Sequence, residues 1–147
     1  MIYVSKQINL QLPVLLVDFS PEEIEGIPEA QHVLANLAKL KKQNVKIYTT
    51  QDGPPVFPGY NLPYWFNAGK LNAEFSELVP DVIQICGLYK ELCLFQLASL
   101  LQNKKTPIII DNDDYTIGAT EETIAETPQI SFINRVKSKQ LIVLEGR

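Results

Sequence analysis

Histidine and cysteine are nearly missing from this chain: its 147 residues hold one of the first, His32, and two of the second, Cys86 and Cys93. Two cysteines cannot build the disulfide framework of a small secreted domain, and their spacing fits no zinc ribbon or redox pair. Positive charge is also short. Thirteen Lys and Arg against seventeen Asp and Glu leave a net charge of -4 and a pI near 5.0, which argues against nucleic acid as a partner. The short runs "KLKK" and "NKK" fall at expected helix ends, where cations suit the helix dipole. No apolar run is long enough to span a bilayer, and "MIYVSKQINLQLPVLLVDF" has no basic region leading into a signal-peptide core. The expectation is a cytoplasmic protein with no membrane partner. No glycine-rich phosphate loop follows the first apolar run, which counts against dinucleotide binding.

What is present is ordinary globular material, 46% hydrophobic and 20% charged, sized for one domain over 1–147. "PVLLVDF" (13–19), "VKIYTT" (45–50), "DVIQIC" (81–86), "TPIIID" (106–111) and "QLIVLE" (140–145) read as strands. Between them "PEAQHVLANLAKLKKQN" (28–44) repeats apolar residues at Ala30, Val33, Leu34, Leu37 and Leu40, the helical period, with Pro28 suited to the first turn. Further helices are expected over 71–78, over 90–103, which is apolar on nearly every side, and over "EETIAE". Residues 51–69, with four prolines, three glycines and five aromatics, read as a long stiffened loop, and such loops in compact domains are usually functional. Strands separated by helices predict parallel pairing with right-handed crossovers, hence an α/β, three-layer αβα sandwich with a mostly parallel, Rossmann-like sheet.

In open parallel sheets ligands bind beyond the carboxyl ends of the strands. Those ends carry Asp18, then Asp52, then Gly87 to Cys93, then Asp111 to Asp114. Any one Asp at such a junction is more often a helix cap; their coincidence with a cysteine is what points to chemistry. At the first turn of its helix, Cys93 is expected to have its thiol pKa lowered by the dipole and the free N–H groups. Asp18 is the natural base for it and Lys70, after the aromatic loop, the natural cation. Phe57, Tyr60, Tyr64, Trp65 and Phe66 would supply a dry aromatic wall for a small, flat ligand, with packing of the loop onto the sheet as the competing role of each.

The order of these groups resembles the isochorismatase-like cysteine hydrolases, the superfamily of nicotinamidases and N-carbamoylsarcosine amidases. The resemblance runs from Pro13 to about Glu122. "LLVDFS" looks like the first-strand motif, "KLNAEF" like a shortened lysine motif, and "ICGLYKELCLFQLASLLQ" like the nucleophile signature, the most specific of the three. It implies that Asp18 deprotonates Cys93, that Lys70 stabilises the thiolate, and that the sulfur attacks a carbonyl or imine carbon. Backbone N–H groups of Tyr89 and Cys93 would hold the oxyanion, after a cis peptide at Leu88–Tyr89. Such a bond without proline costs about 3 kcal/mol.

The chain departs from that pattern in instructive ways. Nicotinamidase-type members bind a metal through an Asp and histidines after the second strand, whereas "TTQDGPPVFPG" supplies Asp52 and no histidine. His32 falls in the first helix, beside the apolar stripe, as a solvated residue rather than a ligand. No catalytic metal and no cofactor are expected, and nicotinamide is disfavoured. The lysine motif is one residue short, Glu74 stands where a small residue is usual, and Lys90 replaces a small hydroxyl residue. "VLLVDFSPEE" also looks like the start of a receiver domain, but Phe19 and Cys86-Gly87 occupy the places where acids would be needed. "IIIDNDDYT" resembles the Asp-x-Asp motif of haloacid-dehalogenase-like phosphatases, but too little chain follows it; an Asn/Asp-capped turn is the simpler reading. The expectation is a cysteine-dependent hydrolase of a small amide, carbamoyl or related C–N bond, free to form a homo-oligomer. The alternative is an inactive scaffold of the same ancestry or a small-ligand-binding module.

Overall fold

A computed structural model of the chain describes residues 2–120 and the backbone of 141–144. The expected helix over "EETIAE" lies outside the described residues. The main sheet runs β10 (Leu141–Leu144), β1 (Ile2–Ser5), β8 (Thr106–Ile110), β7 (Val82–Leu88), β2 (Val14–Val17), β3 (Ile47–Thr50), β4 (Tyr60–Asn61), with β9 (Thr116–Ile117) paired alongside the end of β7. Every pairing in it is parallel. The four-residue β2 is buried along its whole length, as a strand covered on both faces must be. β1 was not expected: "IYVS" is short and its apolar run is broken, yet it fills the place between β8 and β10.

Helices cover both faces, which gives the expected α/β sandwich. α2 (Glu29–Lys42) turns Ala30, Val33, Leu37 and Leu40 into a core shared with Val14, Leu16 and Ile47. Burying one such side chain contributes about 1.5–3 kcal/mol, more than any local propensity. The helix stops at Asn44, whose φ of 67° is left-handed. Its N–H reaches Lys41 O at 3.0 Å, and the Val45 N–H reaches Leu40 O at 3.1 Å. That double closure, with Val45 folding back into the same core as Leu40, is a Schellman ending with Asn in the glycine place. On the other face α3 (Ala73–Leu78), capped by Asn72, and α4 (Phe95–Leu101) bury Phe75, Leu97, Ala98 and Leu101 against Leu15, Ile83, Ile85 and Ile109.

The chain builds outward from β2 in one direction to β3 and β4, then returns to its other side with β7 and β8. The order therefore reverses between β2 and β7, where parallel sheets open a crevice at their carboxyl edge. At that point Val17 pairs with Gly87. Gly87 has a φ of 120°, and a Cβ placed on it would lie 2.3 Å from Val17 O and 2.8 Å from Val17 N. Backbone cannot give way as a side-chain tip can, so only glycine lets the two strands close. Among the described residues every peptide bond is trans, Leu88–Tyr89 included, which corrects the cis bond that the family likeness implied. Among them, too, no helix is long and apolar enough to cross a membrane.

Gly87→Ala is expected to lower unfolding stability by at least about 2 kcal/mol. Urea denaturation followed by Trp65 fluorescence should show an earlier midpoint with an unchanged slope.

Candidate active site

The site grows out of the ends of β2, β3 and β7. After Val17 the chain turns sharply: Asp18 adopts φ 62°, a left-handed conformation that Asp tolerates better than most residues. Its N–H still donates to Thr50 O at 2.9 Å, so the pairing with β3 survives one residue past the strand. The carboxylate is left only 6% exposed. Two residues on, Ser20 Oγ accepts from Glu23 N at 3.3 Å and starts the short helix α1 (Pro21–Ile24).

β3 fastens the aromatic loop over this turn. The Leu62 N–H donates to Thr49 O at 2.8 Å, and Thr49 Oγ1 to Asn61 Oδ1 at 3.0 Å. Thr50 Oγ1 donates to Pro63 O and accepts from Trp65 N, both at 3.0 Å. The Asn72 N–H then closes on Trp65 O at 2.8 Å. Held at both backbone ends and only 2% exposed, Trp65 points its indole N–H at Asp18 Oδ1, 3.3 Å away. The Tyr64 hydroxyl also lies close enough to that carboxylate to favour its charged form. The segment expected as loop is thus partly ordered, with β4 inside it and a hairpin of β5 (Phe66–Asn67) and β6 (Lys70–Leu71).

From β7 the chain enters a π-helical turn, Lys90–Leu94, before α4 begins. The Tyr89 carbonyl accepts from both Leu92 N (3.0 Å) and Leu94 N (3.2 Å), the second being the wider i to i+5 closure. Single π turns cost regularity and occur often at functional sites. This one carries Cys93, which stays partly open to solvent while Cys86 is fully buried. The Cys93 thiol lies beside the Asp18 carboxylate and the Tyr89 N–H approaches the Cys93 sulfur, each close enough to shift the thiol.

Electrostatically the site is acidic, and that reverses one expectation. Burial pushes Asp18 up to about 6, against the smaller pull of the thiol, indole and hydroxyl around it. Burial raises the Cys93 thiol as well, the Asp18 and Glu23 carboxylates raise it further, and only the Tyr89 N–H pulls the other way. The helix start does not win because desolvation and two carboxylates act against the anion. The resting pair is a protonated thiol beside a carboxylate. Cys86, sealed in the core against Thr116, is pushed to about 12.

The sequence-derived residues therefore divide. Asp18, Cys93, Tyr64, Trp65 and the Tyr89 amide converge, with Leu88 buried just before the turn. Lys70 does not join them. It is exposed on the β5–β6 hairpin, forms none of the ion pairs among the described residues, and is not among the charges that shift Asp18 or Cys93. The pairing Asn67↔Lys70 holds it on a turn at the surface, a consequence of hairpin geometry that its place in the motif did not reveal. Phe57 lies on the opposite face, buried against α2 with Lys41 above its ring. Tyr60 is 58% exposed and stacks on Tyr48 at the far edge, and Phe66 packs on Trp65 at 5.3 Å between ring centres. Asp52 is exposed. His32 bonds to Asp114 at 2.7 Å on the surface, and Asn112 Oδ1 caps Asp114 N at 2.9 Å in the turn after β8. Among the described residues no three His, Cys, Asp or Glu side chains gather as metal ligands. Sequence reasoning missed Thr50 and Glu23. The first looked like an ordinary strand residue; the second was legible as the acid just after the "DFS" turn.

Because folded Asp18 keeps its proton up to about 6 and the unfolded chain releases it near 3.8, the native state holds the extra proton between those values. Its contribution to stability therefore falls as pH rises through that window, by about 3 kcal/mol in all. Asp18→Asn, which keeps a residue at home in left-handed backbone, should unfold about 1–3 kcal/mol less readily than the parent at pH 7.5. The difference should shrink toward pH 4 in paired denaturation curves. No family model, no curated protein and no solved structure matches this chain, so what this edge does is read from its own geometry.

Proposed function

We propose that the protein is a cysteine-dependent hydrolase of isochorismatase-like type, acting on the C–N bond of a small amide or carbamoyl compound. The observation that carries this reading is the Cys93 thiol set beside the Asp18 carboxylate, each shifting the other, where the strand order reverses between β2 and β7. Asp18 accepts the thiol proton while the sulfur bonds to the carbonyl carbon and the carbonyl electron pair moves onto oxygen. The Tyr89 N–H beside the sulfur, with the Cys93 N–H, faces the charge that develops. Collapse breaks the C–N bond, Asp18 returns the proton to the departing nitrogen, and a thioester remains. Asp18 then takes a proton from water as it attacks, the acid leaves, and the sulfur recovers its proton. In this scheme a base at about 6 suits the task, being ionised at neutral pH yet basic enough to share a proton. Tyr64 and Trp65 stand at this carboxylate in place of the thiolate-stabilising cation that the family likeness makes of Lys70. They position the carboxylate and leave the thiol uncharged until substrate arrives.

The raised thiol and the outward Lys70 also favour a second reading, a small-ligand-binding module without turnover. A panel of small amides, carbamoyl compounds and nitriles read by ammonia release separates the two. Under the hydrolase reading kcat/KM rises with pH through about 6, as Asp18 ionises. Cys93→Ala falls to background, Asp18→Asn loses at least about a hundredfold, and Lys70→Ala stays within about twofold. No ammonia from any compound, with ligand-induced thermal stabilisation that persists in Cys93→Ala, would decide for the binding module.

A further inference from the structure

On the face of the sheet away from Cys93, α2 and the start of the aromatic loop enclose a cleft of about 560 Å³. Leu34 and Ala38 form the α2 wall, Val56, Phe57 and Pro58 the loop wall, and Lys41 and Lys42 stand among them. Lys41 and Pro58 also line an adjoining cleft, which adds Lys46. Among the described residues no carboxylate lines either cleft, and none of these three lysines joins an ion pair. In a chain of net charge -4 that is a local reversal of sign. The walls are also fixed in place. Phe57 is buried, and a Cβ on Gly59 would lie 2.5 Å from Ile47 O, so the loop rests directly on β3. Lys41 Nζ donates to Pro58 O at 2.5 Å and lies 6.0 Å from the centre of the Phe57 ring. The helix dipole accounts for the sign of lysines at the end of α2. It does not account for the direction of Lys41, which crosses to the loop while the carbonyls of Leu40 and Lys41 take backbone N–H groups.

We propose that this cleft binds a small organic acid with an aliphatic body, its carboxylate at the lysines and its hydrocarbon between α2 and the loop. Ligand clefts of this size are mostly apolar, with a few placed polar groups that fix orientation. An ammonium group has three donors, and Lys41 uses one on Pro58 O, which leaves the others for an anion. Because the loop wall is already packed on β3 and α2, little ordering opposes binding. A neutral ligand of the same shape gains only the apolar contact. A cation meets ammonium groups with no carboxylate to receive it. The site is independent of whatever chemistry Cys93 performs.

Octanoate is the probe, with octanol and octyltrimethylammonium as its neutral and cationic counterparts, each kept monomeric and followed by backbone amide NMR shifts of the intact protein. Octanoate is expected to shift Ala38, Lys41, Lys42, Val56 and Phe57 saturably, with a Kd of about 1 mM or below, and to bind less tightly at high salt. Octanol should bind at least about threefold more weakly, and octyltrimethylammonium more weakly still. The double change Lys41→Gln with Lys42→Gln should bring octanoate down to the affinity of octanol. Ala38→Leu keeps every charge and fills the cleft from a helix that tolerates leucine, so it should weaken octanoate several-fold on steric grounds alone. Cys93→Ala should bind octanoate like the parent. The proposal is overturned by shifts that do not saturate, by shifts that gather around Asp18 and Cys93 instead, by equal affinity for the three probes, or by binding indifferent to Ala38→Leu. None of these results bears on the ammonia assay, which tests the hydrolase reading separately.

Discussion

Val17 and Gly87 pass each other with no room for a side chain between them, and the placing of every group at this edge follows from that contact. β2 and β7 can pair to their last residues only because one of them has no Cβ. Just beyond the contact both chains leave the sheet, β2 after the Asp18 N–H bond to Thr50 and β7 after Leu88 has paired with Ile117. One does so through the left-handed Asp18, the other through the π-helical turn at Lys90–Leu94. Two departures from regular backbone on neighbouring strands, each costing on the order of 1–3 kcal/mol, bring a carboxylate and a thiol together where the strand order reverses.

The chemistry of that pair is governed by desolvation more than by charge pairing. The Asp18 carboxylate is held under the Trp65 indole and the Tyr64 hydroxyl, which face it without neutralising it. Among the described residues no ammonium group is named among the charges that shift the pair, so the proton rests on sulfur and the carboxylate stands near 6. A triad with a cation would store a thiolate. This dyad stores a base beside a thiol, and the anion forms only as the proton moves.

How much of this was legible in the sequence differs by element. The apolar runs at 13–19, 45–50, 82–86 and 106–111 announce buried parallel strands, and the 3.6-residue repeat of α2 is visible down to its core face. Asp18, Gly87 and Cys93 stand out because strand ends are where chemistry collects. β1 escaped notice, being four residues long. The π turn left no sign in "YKELCL", because one extra residue per turn depends on what packs beneath it rather than on propensity. Of the five loop aromatics only Tyr64 and Trp65 turn toward Asp18. Thr50 selects those two through its hydroxyl, a choice that composition alone could not express.

Sequence by itself determined the class of fold, the order of its strands and helices, and the two reactive groups at one edge, since periodicity and strand-end chemistry are local properties. Tertiary structure alone decided which partners those groups meet. Lys70 sits on a two-strand hairpin that faces solvent, while Trp65 and Tyr64, a few residues earlier, are pinned inward by a threonine on the neighbouring strand. Distance in the chain says nothing about that difference, because a hairpin and a strapped loop of similar length can carry neighbouring side chains to opposite sides of the same wall.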